Sequence, residues 1–260
     1  MDIILLLIGA VLPAVILLFF INWQDQYKKE PMGWLWKGFG YGAAVAAIIL
    51  FVSIILEIVG ISTDTEEMTL GGAIRFSLFE AAIPEELLKF LFLWLLLRKN
   101  PYYDEYFDGI VYAVCVGLGF AALENIAYLI EYYDNWVTIG IMRGLISVPG
   151  HFMFAVVMGY FYAKASFGDP AQRKKNLALA ICVPILIHAL FDTILFGSTV
   201  LWWLYLLCLP FFAYLFVKSK RLGKEHLALD KQIMGSEQAA PPAEIPDTAP
   251  QEDDRDETSA

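Results

Sequence analysis

The chain has 260 residues, of which 58% are hydrophobic and 15% are aromatic, and its formal net charge is −10. Only 18% of the residues are charged, whereas soluble domains are about a quarter charged. This composition excludes an ordinary soluble domain and indicates a polytopic membrane protein. We expect the protein to lie in the lipid bilayer and to have no nucleic-acid partner.

Seven apolar stretches are long enough to cross about 30 Å of hydrocarbon as helices. They are residues 3–21, 34–60, 70–97, 108–131, 138–163, 177–196 and 199–218. The sequence therefore predicts an all-α fold, a polytopic transmembrane helical bundle of about seven spans. We assign this transmembrane domain to residues 1–226, with its core at residues 70–196.

The basic residues indicate the orientation of the bundle. They fall in or beside alternate connections: Lys28, Lys29 and Lys37, then Arg98 and Lys99, then Lys164, Arg173, Lys174 and Lys175, then Lys218, Lys220, Arg221 and Lys224. The other connections, residues 61–69, 132–137 and 197–198, contain no Lys or Arg. Because cytoplasmic loops carry an excess of basic residues, the pattern predicts a multi-pass protein of the cell membrane, with its amino terminus outside and its carboxyl terminus in the cytoplasm.

The end of the chain has a different composition. From Asp230 onward, nine acidic residues accompany only two basic residues. Because a segment with this charge and few apolar residues cannot form a core, residues 227–260 are predicted to be a disordered, acidic cytoplasmic tail.

Two glutamates and a lysine interrupt the third span. Ionised groups are costly in hydrocarbon, so residues such as Glu85, Glu86 and Lys89 usually face the interior of a bundle and mark a functional site. On a helix, Lys89 lies four residues after Glu85 and three after Glu86, so its ammonium can reach either carboxylate. Pro84 removes a backbone donor just before the pair, and we expect it to bend the helix.

The fourth span contains adjacent polar residues, Glu124 and Asn125. Ala113, Gly117 and Ala121 precede them at intervals of four and form a small-residue stripe that lets a neighbouring helix approach closely. Glu124 lies on the same face one turn further along. This residue is either a functional acid or a protonated acid that ties two helices together.

The fifth and sixth spans each contribute a histidine. Arg143, Ser147 and His151 follow one another at intervals of four, so they are expected to share a helix face. A lone membrane histidine is more often a hydrogen-bonded core residue than a ligand. In the sixth span, His188 and Asp192 are four residues apart. They supply either two metal ligands, or one ligand and a carboxylate that fixes the imidazole tautomer.

The expected depths of these groups place them in one layer of the membrane. At a rise of about 1.5 Å per residue, Glu124, His188, His151 and Glu85 lie roughly 10 to 20 Å below the external ends of their spans. Two neutral imidazoles, several carboxylates and a spare glutamate are what hydrolytic zinc chemistry requires. The spare carboxylate would take a proton from water and return it to the leaving amine.

Four motifs occur in order on consecutive spans: Glu85-Glu86-x-x-Lys89, Phe120-x-x-x-Glu124-Asn125, His151-x-x-x-Ala155 and His188-x-x-x-Asp192. Together, over roughly residues 25–220, they resemble the PrsW family of bacterial intramembrane metalloproteases. That family is related to the CAAX prenyl endopeptidase and to bacteriocin-processing enzymes. The resemblance implies a glutamate-activated water, one zinc ion within the membrane, and cleavage of a single-span membrane protein such as an anti-sigma factor.

The resemblance also implies a role for each polar residue of the motifs. The implied roles are catalytic for Glu85 and Glu86, metal-binding for His151, His188, Glu124 and Asp192, and supporting for Lys89 and Asn125. Glu85 resembles the general base, and Glu124 and Asp192 resemble either a further ligand or a pair behind the ligands. The prenyl endopeptidases have an arginine one residue after Lys89 and a histidine in place of Glu124, so these departures favour PrsW-type cleavage over CAAX processing.

Two other classes of function stay open on the sequence alone. A non-catalytic membrane scaffold would use the same polar residues as interhelical hydrogen bonds. A proton-coupled transporter would use them as a proton relay, although no inverted repeat of the spans favours this function. Of the three, we expect the metal-dependent endopeptidase.

Overall fold

The computed structural model describes residues 2–59 and 69–239. Within these ranges the regular structure is entirely helical and contains no strand, as predicted. The helices are α1 (Asp2–Gln24), α2 (Met32–Ile58), α3 (Leu70–Arg75), α4 (Ile83–Leu97), α5 (Tyr106–Glu131), α6 (Trp136–Leu145), α7 (Ser147–Phe167), α8 (Arg173–Gly197) and α9 (Tyr205–Ala239). A π-helical segment, Phe76–Ala82, joins α3 to α4. Short 3₁₀ turns precede α6, α8 and α9 at Tyr133–Asn135, Pro170–Gln172 and Trp202–Leu204.

Six helical stretches in the described ranges are long and apolar enough to cross a membrane. The predicted third span, residues 70–97, is one continuous helical run, but the π-helical segment divides it into pieces that are each shorter than a span. The predicted fifth span is divided at Ile146, where α6 ends and α7 begins. The polytopic helical bundle is therefore confirmed, and two of its spans are broken helices.

Helix α5 forms the centre of the bundle. Every residue from Phe107 to Ala122 is buried, and the helix packs against α1, α2, α7 and α9. A Cβ atom added to Gly119 would lie 1.9 Å from the carbonyl oxygen of Phe39 in α2. A Cβ atom added to Gly117 would lie 2.8 Å from Cβ of Ala155 in α7. The stripe predicts a closely packed neighbouring helix, and the structure shows that this neighbour is α7.

Helix α9 continues to Ala239, past the predicted start of the tail at residue 227. Asp230 is 2% exposed, and its carboxylate accepts hydrogen bonds from the backbone N–H groups of Tyr106 and Phe107. These bonds satisfy the first turn of α5 and attach α9 to it. The predicted tail boundary therefore lies too early, and residues 240–260 lie outside the described residues.

Buried carboxyl groups gather where α1 and α4 end and where α2 and α5 begin. Asp25, Glu30 and Glu105 lie in these connections and are 1%, 5% and 6% exposed. Their burial raises the pKa of Asp25 to about 6 and the pKa values of Glu30 and Glu105 to about 7. The Tyr112 hydroxyl donates a hydrogen bond to Glu30. These groups therefore hold protons at pH values at which an exposed carboxylate is charged.

Candidate metal centre

The helix that carries the two glutamates has a wider, π-helical turn just before them. Pro84 has no N–H, and its ring crowds the carbonyl group four residues earlier. The π-helical segment precedes this position, and the N–H of Ile83 donates to the carbonyl oxygen of Leu78, five residues back. Such π-turns are frequent at functional sites. The wider turn accommodates the proline ring, and Glu85 and Glu86 follow in the first turn of α4.

Lys89 holds the two glutamates together. Its ammonium donates hydrogen bonds to Oε2 of Glu85 at 3.0 Å and to Oε1 of Glu86 at 2.9 Å. The three residues are 3%, 7% and 1% exposed, in that order. The same Nζ atom lies 3.2 Å from Nδ1 of His151 and 3.8 Å from the ring centroid of Phe120. A single cation therefore contacts both carboxylates and one imidazole.

Helix α7 presents His151 to this group because α7 packs closely on α5. The Nδ1 atom of His151 faces Lys89, and its Nε2 atom lies 3.1 Å from Oε2 of Glu124. Arg143, on α6, donates from Nη2 to the same Glu124 oxygen at 2.6 Å and from Nε to Oδ1 of Asn125 at 2.8 Å. Glu124 is thus held between a guanidinium and an imidazole.

Helix α8 places His188 beside the glutamate pair. Its Nδ1 atom lies 2.9 Å from Oε1 of Glu86. Its Nε2 atom lies 3.2 Å from Oδ2 of Asp192 and 4.0 Å from Oε2 of Glu85. The ring stacks on Phe154, with 4.8 Å between the centroids. His151 thus lies between Lys89 and Glu124, and His188 lies between Glu86 and Asp192.

Four side chains of this site offer donor atoms suitable for a metal ion. Glu85, Glu86, His151 and His188 are all buried, and one ligand atom from each lies within 4.8 Å of the other three. Carboxylate oxygen and imidazole nitrogen are common zinc ligands. The residues fit a divalent ion. Because the Lys89 ammonium contacts three of the same four side chains, it would have to move aside for an ion to use all of them.

A cavity of about 300 Å³ adjoins three of these side chains, Glu85, His151 and His188. Its polar lining includes Glu85, Glu124, Arg143, Ser147, His151, His188 and Asp192. Its apolar lining comes from α2, the π-helical segment, α5, α7 and α8. The cavity gives a substrate and water a place beside Glu85.

Comparison with known proteins identifies the family. The family model for the PrsW family intramembrane metalloprotease matches residues 30–217. The chain belongs to the PrsW family. It is 37% identical over 188 residues to Protease PrsW of Clostridioides difficile (strain 630), and these residues make up 72% of this chain and 77% of that protein.

Two further members of the PrsW family show how far the similarity extends. Protease PrsW of Bacillus subtilis (strain 168) is 33% identical over 217 residues, which is 84% of this chain and 93% of that protein. Protease PrsW of Geobacillus kaustophilus (strain HTA426) is 31% identical over 193 residues, 74% of this chain and 80% of that protein. No solved structure matches the chain.

Membership of the PrsW family confirms three of the predictions made from the sequence. The chain is an intramembrane metalloprotease and a multi-pass membrane protein, rather than a scaffold or a transporter, and its family implies a metal ion. A protease of this kind acts on membrane proteins within the bilayer. Zinc, the substrate and the orientation stay predictions.

The structure brings all eight predicted site residues of this PrsW protein together: Glu85, Glu86, Lys89, Glu124, Asn125, His151, His188 and Asp192. Their individual roles stay predictions. Arg143 was expected to share a helix face with Ser147 and His151, but the break at Ile146 places it on a separate helix, α6. It nevertheless reaches the site.

The sequence did not predict that α2 forms part of the cavity wall. Ala46, Ile49, Leu50 and Ser53 line the cavity. The only signal was Ser53, a hydroxyl within a long apolar run. An isolated serine in a membrane helix is too common to identify a site.

Proposed function

We propose that this protease cleaves single-span membrane proteins, with an anti-sigma factor as a candidate substrate, by using one zinc ion and a glutamate general base. The observation that carries the proposal is the convergence of two buried carboxylates and two buried imidazoles within 4.8 Å of one another. The anti-sigma factor rests on the family resemblance alone.

Within this proposal, Glu86, which the resemblance assigns to catalysis, would instead hold the ion together with His151 and His188, and Glu85 would act as the general base. Three protein ligands leave a position for the reacting groups, which is the arrangement of catalytic zinc sites. The sequence suggests Glu124 and Asp192 as ligands or supporting acids. Glu124 lies at Nε2 of His151, the ring nitrogen that faces away from Lys89. Asp192 lies at Nε2 of His188, the ring nitrogen that faces away from Glu86. A carboxylate in that position fixes the tautomer and orientation of a histidine ligand.

The ion, when bound, supplies Lewis acidity that polarises a carbonyl group and makes water a better nucleophile near neutral pH. Glu85 takes one proton from the attacking water as the new C–O bond forms at the scissile carbonyl carbon. The same carboxyl group then gives that proton to the amide nitrogen as the C–N bond breaks. Arg143 holds Glu124 in place, and Glu124 in turn orients His151.

We further propose that the protein lies in the cell membrane with its amino terminus outside and its carboxyl terminus in the cytoplasm. The basic residues of alternate connections support this orientation. The cavity lining includes the later parts of α2 and α8, which lead to connections without Lys or Arg. In this orientation the site is reached from the outer half of the bilayer.

A cleavage assay on a co-expressed single-span membrane protein tests the proposal. Glu85→Gln keeps the shape of the side chain but removes the base, so cleavage should fall by about 10²- to 10⁴-fold. The matched control is Glu131→Gln, at an exposed acid at the end of α5, which should cleave normally. Unchanged cleavage by Glu85→Gln would refute the assignment of the base.

The metal content of the purified protein tests the ligand set. We expect one zinc ion per chain, lost on treatment with a chelator, and a much lower metal content in His151→Ala and His188→Ala. Both variants should still accumulate in the membrane. A full metal content in either variant would show that the ion binds elsewhere.

A further inference from the structure

A groove separate from the metal centre lies between α1 and α9, at the end of the bundle that carries the basic connections. It has a volume of about 340 Å³, and its lining shares no residue with the cavity beside Glu85. Helices α1 and α9 each contact α5 and α7, but they do not pack extensively on each other. The groove therefore has α5 and α7 as its floor and α1 and α9 as its walls.

The interior of the groove is apolar and open to the surface of the bundle. Buried apolar side chains line its floor, among them Phe107, Ile110 and Val156. Phe20 of α1 and Phe216 of α9 also line it, and they are 41% and 51% exposed. Because lipid surrounds this part of a membrane bundle, lipid chains have direct access to the groove.

The length of the groove matches one leaflet of a bilayer. Along α9, its lining extends from Phe216 past Lys224. The rise of an α-helix places these two residues about 12 Å apart along the axis. Half of the hydrocarbon core of a bilayer is about 15 Å thick. The apolar part of the groove is therefore long enough for the upper part of an acyl chain that starts at the level of Lys224.

Two lysines line the mouth of the groove. Lys220 and Lys224 are one turn apart on the same face of α9, and both are exposed. The Lys220 ammonium lies 5.7 Å from the ring centroid of Phe216. Among the described residues, neither lysine forms an ion pair, and Glu225, the acid next to Lys224, pairs with Lys164 instead. Two positive charges therefore lie at the mouth without a counter-charge from this part of the chain.

We infer that this groove binds an anionic phospholipid of the surrounding membrane, with an acyl chain on the apolar floor and the phosphate at Lys220 and Lys224. Basic pockets between membrane helices are suited to anionic headgroups. A zwitterionic lipid offers the same chain, but its headgroup brings a cation toward the two lysines. The inference does not depend on the proposed function, because the groove and the metal centre have no residue in common.

Native mass spectrometry of the full chain in a neutral detergent, titrated with phosphatidylglycerol or with phosphatidylcholine, tests the preference for an anionic lipid. Phosphatidylglycerol should bind about 30-fold more tightly, the equivalent of about 1 kcal/mol for each lysine. Equal binding of the two lipids would overturn the inference. An excess of inorganic phosphate should leave phosphatidylglycerol bound, and its displacement would show a site for a free anion instead of a lipid.

Two double variants with the same change of charge test the role of the lysines. Lys220→Gln combined with Lys224→Gln should lower the affinity for phosphatidylglycerol by about 30-fold, to that for phosphatidylcholine. The matched control combines Lys218→Gln with Arg221→Gln, at exposed basic residues of α9 that do not line the groove, and it should keep the preference. An equal loss in both double variants would show a general attraction by surface charge and would overturn the site.

Gly223→Leu tests the place of the acyl chain, because it fills part of the groove and leaves both lysines unchanged. Gly223 lines the groove, and a Cβ atom there would meet only Phe107, at an ordinary contact distance of 3.6 Å. The variant should bind both lipids more weakly by about 10-fold or more, as expected for the loss of two or more buried CH₂ groups. Full lipid binding by Gly223→Leu would overturn the inference. Thermal unfolding shows whether each variant is folded, and if Gly223→Leu is not, the exposed lysine variants decide the question.

Discussion

Replacing Lys89 by methionine removes the cation that joins the glutamate pair. Lys89 is 3% exposed, and its ammonium lies within 3.0 Å of a carboxylate oxygen of both Glu85 and Glu86. Removing one partner of a buried ion pair costs about 3–5 kcal/mol, because the other partner is left buried and uncompensated. In the absence of metal, we therefore expect the free energy of unfolding of Lys89→Met to be lower than that of the unchanged protein by about that amount.

A bound metal ion should reverse most of this loss. Methionine keeps the apolar stem but leaves both glutamates and His151 without the competing ammonium. Metal at 100 to 1,000 times its dissociation constant stabilises the folded state by about 2.7 to 4.1 kcal/mol. This range overlaps the expected cost of the substitution. Zinc should therefore stabilise Lys89→Met more than it stabilises the unchanged protein.

Thermal unfolding in detergent, with chelator and across a zinc titration, measures both effects. Lys99→Met serves as the control, since Lys99 is an exposed lysine just after α4, and it should change neither the stability nor the zinc dependence. If Lys89→Met is as stable as the unchanged protein in chelator, the ammonium does not hold the pair together. If zinc stabilises both proteins equally, the ion does not bind where the ammonium lies.

Three further substitutions test other parts of the structure. Asp192→Asn should weaken metal binding by about 10- to 100-fold in a metal titration, because it removes a carboxylate behind a histidine ligand; unchanged affinity would contradict that role. Gly119→Ala should lower the free energy of unfolding by about 1–3 kcal/mol or more, because its Cβ would meet the Phe39 carbonyl at 1.9 Å, whereas the control Gly40→Ala, with open space around it, should not. Burial raises the pKa of Glu30 from 4.5 to about 7, so the stability that its protonation provides is present below about pH 4.5 and is lost as the pH rises through 7. Unfolding measured across that range should show a flatter pH profile for Glu30→Gln, and an unchanged profile would refute the shift.

The features that local sequence determines could be predicted. The spans follow from apolar runs of sufficient length, and the His188–Asp192 contact follows from a spacing of four residues on one helix. The close approach of another helix to α5 follows from the small-residue stripe Ala113, Gly117 and Ala121. These three features need no knowledge of a distant neighbour.

Features that depend on distant parts of the chain could not be predicted in the same way. The helical continuation past residue 227 depends on Asp230, whose partners are backbone groups at Tyr106 and Phe107. The π-turn before Pro84 is one of several ways in which a helix can accommodate a proline. The contribution of α2 to the cavity has no chemical signature beyond Ser53, because apolar residues that line a cavity and those that face lipid have the same composition.

The charge balance of the site gives a physical reason for a divalent ion there. The charged side chains of the site are Glu85, Glu86, Glu124, Asp192, Lys89 and Arg143. When all are ionised, four negative charges face two positive charges, so two negative charges are left over while the histidines stay neutral. Ionised groups inside a membrane are costly unless they are paired. A divalent cation would neutralise that remainder, and two protonated histidines would do so as well, but protonated imidazoles cannot bind a metal. A zinc titration at fixed pH that releases protons would show that the ion displaces protons from the site, whereas binding without proton release would show that the ligands are already deprotonated before the metal binds.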